Sequence, residues 1–537
     1  MQSEAKIAPI STAEHAAVVA QRDRLAAENR QFQARLARLE QQLAWLKRQV
    51  FGEKSERRLA QVPPQQMRLG EDWSAGEPAA PPPPQRVGAH TRQAPREKPT
   101  EDEAALFFDE RVPVEIIEVP DAPEIKGLPE DAYEVVGEKV SHRLAQRPGS
   151  YVILKYVRRV IKRRDDQTLH CPPAPAGVFD HSRADVSFIA GLMVDKFVYH
   201  QPLYRQHQRL TDNGIDVSRP WLTGLVHSAA ALLEPIYEAQ FDAVRESRVK
   251  AMDETPIKAG RKGKGKMNTG YFWPVYGEHD EIVFPFFPSR AARCVFEALG
   301  HPPPGAPPPK SDTDSVLISD GYSAYARYAE ASGLTHAQCW AHTRRQLVRA
   351  ENAEPEAVAY ALETIGELYA VESAIREQGL SGEKKRCYRV ENAKPVAERL
   401  FAWAEEQLAA EAFLPTNPLT KALGYLLERR AGLEVYLADP EVPIDTNHLE
   451  RALRVIPMGR KNFLFAWTEI GAKYVGILQS LLVTCRMHGI NPYDYLVDVL
   501  QRINAHPAAN VRQLTPRLWK RHFADNPLRS PLHGRGK

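Results

Sequence analysis

Arg248-Val249-Lys250-Ala251-Met252-Asp253 is followed by Gly270-Tyr271-Phe272-Trp273-Pro274-Val275-Tyr276 and by Glu281-Ile282-Val283-Phe284-Pro285-Phe286. These runs are rich in β-branched and aromatic residues and bounded by Gly, Pro and Asp, so three strands in succession are expected, and they imply a meander. A helix at about Arg290 to Leu299 and a proline-rich loop from His301 to Pro309 lead to a fourth strand, Ser315-Val316-Leu317-Ile318-Ser319, ending on Asp320-Gly321. A fifth apolar-edged segment, Leu334 to Cys339, precedes a helix beginning near Trp340. The order βββαβ plus one strand predicts a five-strand mixed sheet with helices packed against it.

That order is the order of an RNase H-like fold, in which strands one and four are adjacent and parallel. Asp253 closes the first strand and Asp320 the fourth, so both carboxylates are expected at one sheet edge. Cleaving a phosphodiester at neutral pH requires a strong nucleophile and stabilisation of charge on phosphate and leaving oxygen. Two Mg²⁺ or Mn²⁺ ions about 3.5–4 Å apart supply both and are held by hard oxygen ligands. A third carboxylate has to come from a later helix, and Glu450 in Asn447-His448-Leu449-Glu450-Arg451 is the best placed. Asp253, Asp320 and Glu450 are thus the candidate catalytic and metal-binding residues. Each has a plainer reading: Glu450 as the third residue after a capping Asn447, Asp320-Gly321 as a strand-ending turn, Asp253-Glu254-Thr255-Pro256 as a loop entry. Asp253 and Glu254 point to opposite faces, and Asp253 is preferred because Ala251 and Met252 imply a buried strand ending just before it.

Basic clusters frame these acids. Lys258, Arg261, Lys262, Lys264 and Lys266, interleaved with glycines, read as a mobile hairpin tip against a phosphate backbone or as a solubilising loop. Arg344 and Arg345 follow His342, and Arg451, Arg454, Arg460 and Lys461 follow Glu450. Upstream, residues 181–240 read as a helix-turn-helix: a short helix from Pro202 to Leu210, the turn Asn213-Gly214, and a second helix capped by Ser218 with Pro220 just inside it. Arg205, Arg209 and Arg219 would then touch DNA, although such pairs also pack without DNA.

The core is expected over 241–350 and 441–480, interrupted by an all-α insertion at 351–440 and followed by a C-terminal helical region, 481–537. Residues 104–180 form a small β-rich segment, in which Tyr151 to Arg164 carries six basic residues and no acid, either lying along phosphates or forming a solvated edge strand. Residues 59–103 are a proline-rich disordered tether. In residues 11–58, Leu25, Asn29, Phe32, Leu36, Leu39, Leu43, Leu46 and Val50 make a heptad seam, read as a dimerising coiled coil or as one amphipathic helix folded on the body. The fold class is therefore multidomain α/β.

At 537 residues the chain exceeds one domain, and Lys+Arg 71 against Asp+Glu 68 leaves only +3, so nucleic-acid affinity must come from local clusters. Five scattered cysteines without a C-x-x-C pair disfavour disulfides and suit a reducing cytosol. No apolar run is long enough to span a bilayer and the start lacks a signal-peptide pattern, so a soluble intracellular protein without membrane association is expected.

At these residues the sequence resembles the IS66-family transposases. Leu46 to Arg57 is similar to the family's segment ending its coiled coil, and Pro202-Leu203-Tyr204-Arg205-Gln206 with Gly214-Ile215-Asp216-Val217-Ser218 to its helix-turn-helix. Asp253-Glu254-Thr255-Pro256, Ser319-Asp320-Gly321-Tyr322 and Glu450-Arg451-Ala452-Leu453-Arg454 with Gly459-Arg460-Lys461-Asn462 match its acidic motifs. Cys339-Trp340-Ala341-His342-Thr343-Arg344-Arg345 and Gly489 to Leu496 match further blocks. The resemblance implies a DDE transposase with Asp253, Asp320 and Glu450 as its triad, acting on double-stranded element ends and target DNA in the bacterial cytoplasm at the nucleoid. Partners would be a second or further copies of the chain and accessory proteins of the same element. Where relatives carry a cysteine-rich segment, this chain has only Cys171, so zinc is not expected, and Asp445-Thr446-Asn447 replaces the common Asp-Asn-Asn. Cys339 and His342 are assigned to packing. The competing classes are a non-catalytic dimeric DNA-end-binding protein or repressor, and a nuclease that cuts without joining.

Overall fold

The computed structural model describes residues 19–33 except 23 and 31, residues 107–108, and 112–533 with breaks at 126–128, 130–131, 148–149, 181, 264–265, 301–313 and 411–412. Most of the heptad seam, all of the 59–103 tether, Lys264 and the His301–Pro309 loop lie outside the described residues. The chain forms two bodies, residues 1–104 with 407–417, and residues 105–406 with 418–537. In the first, the described residues near 19–33 are helical and Leu25 and Phe32 face solvent. All that follows concerns the second.

Its first layer is a sheet of β1 (Val114–Glu118), β2 (Tyr133–Arg147) and β3 (Ser150–Arg163), with β3 in the centre, parallel to β1 and antiparallel to β2. The basic run is therefore a central strand and not an edge. Its apolar residues Val152, Ile153, Leu154 and Tyr156 are buried, and three of its six cations have local partners: Arg159 pairs with Asp121 at 2.9 Å, Arg163 with Asp165, and Arg158 donates to the Pro172 carbonyl at 3.2 Å.

Three helices follow, α1 (Val186–Phe197), α2 (Leu203–Asp212) and α3 (Arg219–Glu246). The Asp185 carboxylate caps α1 by accepting from the Ser187 N–H, and the Ser218 hydroxyl caps α3 by accepting from Trp221 N–H. Leu222, Leu225 and Leu233 of α3 are buried, and Trp221 stacks on Phe188 with centroids 5.8 Å apart. At 28 residues, α3 runs far past the turn it shares with α2 and continues into the core as a scaffold helix.

The core sheet is built from β4 (Val249–Met252), β7 (Val275–Tyr276), β8 (Ile282–Val283), β10 (Val316–Ser319) and β11 (Thr335–Gln338), in the order β8-β7-β4-β10-β11. β4, β10 and β11 are parallel; β7 is antiparallel to both β4 and β8. Between them a second sheet forms from β5 (Thr255–Gly263), β6 (Lys266–Phe272) and β9 (Phe286–Phe287). The meander expected from the sequence is thus split. Pro274 and Pro285 have no N–H to give a ladder, and at each the chain leaves one sheet for the other, so Gly270–Phe272 and Phe286 belong to the second sheet while Val275–Tyr276 and Ile282–Val283 belong to the first.

β4 and β10 are buried at every residue, as parallel strands covered on both faces require. At the β8 edge no strand continues the ladder. Helix α14 (Glu469–Met487) lies against it instead and satisfies it with hydroxyls: the Phe284 N–H donates to Ser480 Oγ at 2.9 Å and the Ile282 N–H to Thr484 Oγ1 at 3.2 Å, while Gln240 of α3 donates to the Ile282 carbonyl at 2.8 Å. These buried polar residues on otherwise apolar helices are explained by the sheet edge they cover.

The remaining core helices are α4 (Arg293–Ala298), α5 (Ser323–Ser332) and α6 (Trp340–Ala350). Between α6 and the return to the core lie α7 (Pro355–Glu377), α8 (Gly382–Asn392), α9 (Lys394–Ala409), α10 (Pro418–Glu428) and α11 (Arg430–Ala438). Gly432 lets α11 close on β11, since a Cβ there would meet the His336 carbonyl oxygen at 3.0 Å. The chain then enters α12 (Asn447–Leu453) and α13 (Val455–Asn462) before α14, and ends through α15 (Pro492–Arg502) and α16 (Pro516–His522). Among the described residues no helix is long and apolar enough to cross a membrane.

Candidate active site

Asp253 follows directly on β4 and Asp320 on β10, and because these strands are parallel neighbours, both side chains leave the same sheet edge. At Asp320 the carboxylate turns the chain by accepting from the Tyr322 N–H at 2.9 Å. Gly321 leaves room for the side chains above it: a Cβ there would lie 2.5 Å from Arg429 Nε and 2.8 Å from the Tyr425 hydroxyl. Glu254 points elsewhere. Its carboxylate takes Arg290 Nε at 2.8 Å and the Tyr325 hydroxyl at 2.7 Å.

Glu450 lies in the first turn of α12, brought back past five helices by a set of specific ties. The Arg248 guanidinium, at the start of β4, forms a two-pronged pair with Asp439 at 2.7 and 3.1 Å. The buried Arg389 binds Glu372 at 2.7 and 2.9 Å and donates to the carbonyls of Tyr436 and Val442. Trp340 N–H donates to the Ile444 carbonyl at 3.2 Å, and the Thr446 N–H and hydroxyl both donate to Cys339 Sγ at 3.3 Å. Thr446 holds the cap position with no side-chain cap bond; Asp445 before it accepts from the Asn447 N–H at 3.0 Å, and Tyr369 donates to its second oxygen at 2.8 Å. Glu450 takes no part in a capping box. It accepts from Arg345 at 2.9 and 3.1 Å and lies 3.6 Å from His342 Nε2.

The three acids share one electrostatic field. Burial, followed by the charges of Glu254, Asp320 and Glu450, pushes the Asp253 carboxyl up to about 7, against the Glu254 N–H that holds it down. Burial lowers His342, as does Arg345, while Asp320, Glu450 and Asp445 raise it. Among the described residues no three His, Cys, Asp or Glu side chains are disposed as they stand to enclose a metal ion, and Glu450 is paired with Arg345. The donor set is nevertheless entirely carboxylate, the type that hard divalent cations take.

Two assignments change with these contacts. Arg345 is the ion-pair partner of Glu450 instead of a free phosphate ligand, and His342 faces the same carboxylate instead of serving in packing; only Cys339 packs, holding Thr446. Arg209 is likewise engaged: it donates to the Tyr151 hydroxyl at 2.8 Å and pairs with Asp195, which joins α2 to β3 and α1. Arg205, Arg219, Arg344, Arg451, Arg454, Arg460 and Lys461 are exposed, as are Lys258, Arg261, Lys262 and Lys266. The last four lie on β5 and β6, which pair as an antiparallel hairpin of the second sheet. Missed from the sequence were Arg290, Tyr369 and Arg389, which act on the site through Glu254, Asp445 and the α11–α12 connection. Their partners are remote in sequence, and the one local signal was Asp445 ahead of a helix start.

The molecule is a mixed α/β protein in which Asp253 and Asp320 follow adjacent parallel strands and Glu450 opens a returning helix beside Arg345. The family model "Transposase IS66 family" matches residues 181–474, "IS66 C-terminal element" residues 480–517, and "Transposase C of IS166 homeodomain" residues 38–122. The chain belongs to the IS66 transposase family. It is similar to three Sinorhizobium fredii proteins, each described as uncharacterized: y4hP, 29% identical over 90% of this chain and 89% of its own length; y4qI, 28% over 71% of each; and y4jD, 27% over 90% and 94%.

Proposed function

We propose that the chain is a DDE transposase that binds the ends of an insertion sequence, cleaves the phosphodiester there and joins the 3′-hydroxyl to target DNA. The observation that carries the reading is that Asp253 and Asp320 follow two adjacent parallel strands at one sheet edge, while the charges of Asp320 and Glu450 add to burial and Glu254 in raising the Asp253 carboxyl. The strand order and directions are those expected of an RNase H-like sheet, which is the fold we assign to the core. The division into coiled coil, tether, β-rich segment, helix-turn-helix, two-part core with helical insertion and C-terminal helices belongs to the same proposal, as does assembly through the N-terminal heptads, where Leu25 and Phe32 are exposed.

Asp253, Asp320 and Glu450 would hold two Mg²⁺ or Mn²⁺ ions. When bound, the metals supply Lewis acidity at the phosphate and lower the pKa of attacking water. The protein's own part is placement. The parallel strands fix the two aspartates, the contacts of Cys339, Trp340 and Asp445 fix α12, and Arg345 and His342 keep Glu450 paired until it turns inward. Exposed Arg451, Arg454, Arg460 and Lys461 on the same helical segment, with the basic hairpin, would hold the DNA backbone beside the acids. Joining exchanges one phosphodiester for another and needs no nucleotide cofactor.

Incubating the full chain with element-end DNA and Mg²⁺ or Mn²⁺ tests this. Cleavage and joined product support the transposase; a mobility shift without nicking identifies an end-binding protein, and cleavage without joining from a precut end identifies a nuclease.

A further inference from the structure

The chain leaving α13 reads Phe463-Leu464-Phe465-Ala466-Trp467. Leu464 and Ala466 are buried, and Phe465 and Trp467 alternate outward, 47% and 59% exposed. The segment is fixed rather than loose: the Ala466 N–H donates to the Lys258 carbonyl at 2.9 Å and the Gly260 N–H to the Ala466 carbonyl at 3.0 Å, so it docks alongside β5 as a short parallel addition. The two rings meet edge to face with centroids 5.3 Å apart, and the Arg261 guanidinium lies over Trp467 at 5.1 Å. Lys262 and Lys266 are exposed on the same hairpin, with Glu469 the acid beside Gly260. Arg460 donates to the carbonyl of Pro256, three residues past Asp253, at 2.7 Å, which ties the platform to the acidic edge.

Two large aromatic rings held out to solvent by a docked backbone, with a cation on one ring face and others alongside, match the chemistry of a nucleotide whose base is unpaired: a π face to stack and a phosphate to neutralise. Paired bases within a duplex keep their faces covered, so the same surface offers them only phosphate contacts. Resting on the transposase reading, we propose that Phe465, Trp467 and Arg261 form a stacking site for an unpaired base at the DNA end, with Lys262 and Lys266 on its backbone.

The test uses the full chain in EDTA, which permits binding without cleavage, and a blunt duplex against the same duplex carrying a short unpaired tail with 2-aminopurine. The tailed duplex is expected to bind about tenfold tighter, with the fluorophore quenched on binding. Trp467→Ala should remove both the preference and the quenching while leaving blunt-duplex affinity and thermal unfolding unchanged, and Trp467→Phe should retain them. Equal affinity of the wild type for both duplexes, or Trp467→Ala behaving as wild type, overturns the stacking site while leaving the transposase reading intact. No DNA binding by the wild type overturns both. If Trp467→Ala instead reduces the oligomeric state with the tail preference intact, the surface joins copies of the chain and the proposal fails.

Discussion

Asp253 and Glu254 are adjacent carboxylates with different surroundings, and that difference is a prediction. Asp253→Asn should abolish joining, whereas Glu254→Gln, which loses charge against Arg290, should cost about 1–3 kcal/mol of stability yet leave measurable joining. Denaturant melts and joining assays on both variants check this; a folded Glu254→Gln as dead as Asp253→Asn would reverse the assignment. Away from the site, Lys196 of α1 is desolvated, and burial lowers its ammonium to about 8. Because the unfolded chain holds that proton up to its ordinary value near 10.5, the unfolded state binds more protons between about pH 8 and 10.5, and stability from this residue rises through that window. Lys196→Met should flatten the rise and add about 1–3 kcal/mol at neutral pH, read from denaturation midpoints at several pH values.

At the scale of elements, the contact between α14 and the β8 edge has no slack. A Cβ on Gly476 would lie 2.2 Å from the Phe284 carbonyl oxygen, and a backbone oxygen cannot turn aside as a side chain can. Gly476→Ala should destabilise by about 2–4 kcal/mol in chemical denaturation, and a loss below about 1 kcal/mol would show that the helix can lift off the edge. This scale also shows what could be read from the sequence. Val316 to Ser319 and Val249 to Met252 were legible as short, mostly apolar, β-branched runs ending on an acid, although Lys250 interrupts the second with a buried ammonium. The hairpin tip was legible in its Lys and Gly residues, but the length of its strands was not, although Thr255, Ile257 and Ala259 alternate inward at period two. The two-sheet division lay in Pro274 and Pro285, whose missing donors end each strand within an otherwise continuous β-like run. Arg345 facing Glu450 was not legible: the two are joined only through the α7–α11 helices and the packing of α12 against α6.

For the whole molecule, a near-neutral chain must present its cations locally to hold DNA, and the exposed lysines of the hairpin are one such group. The logarithm of DNA affinity should fall linearly with the logarithm of salt, and Lys262→Ala with Lys266→Ala should lessen that slope by about two, measured by anisotropy titrations; an unchanged slope would remove the hairpin from the interface. The architecture as a whole serves to return one glutamate to two aspartates. Arg248 to Asp439, Arg389 to the Tyr436 and Val442 carbonyls and Cys339 to Thr446 all act on the stretch that delivers α12. The most direct measurement is therefore Mg²⁺-dependent joining of element-end DNA by wild type and Glu450→Gln at matched DNA binding. The account predicts joined product from the wild type and a loss of at least about a thousandfold in the variant, equivalent to about 4 kcal/mol of transition-state stabilisation. Joining by Glu450→Gln at the wild-type rate would contradict it.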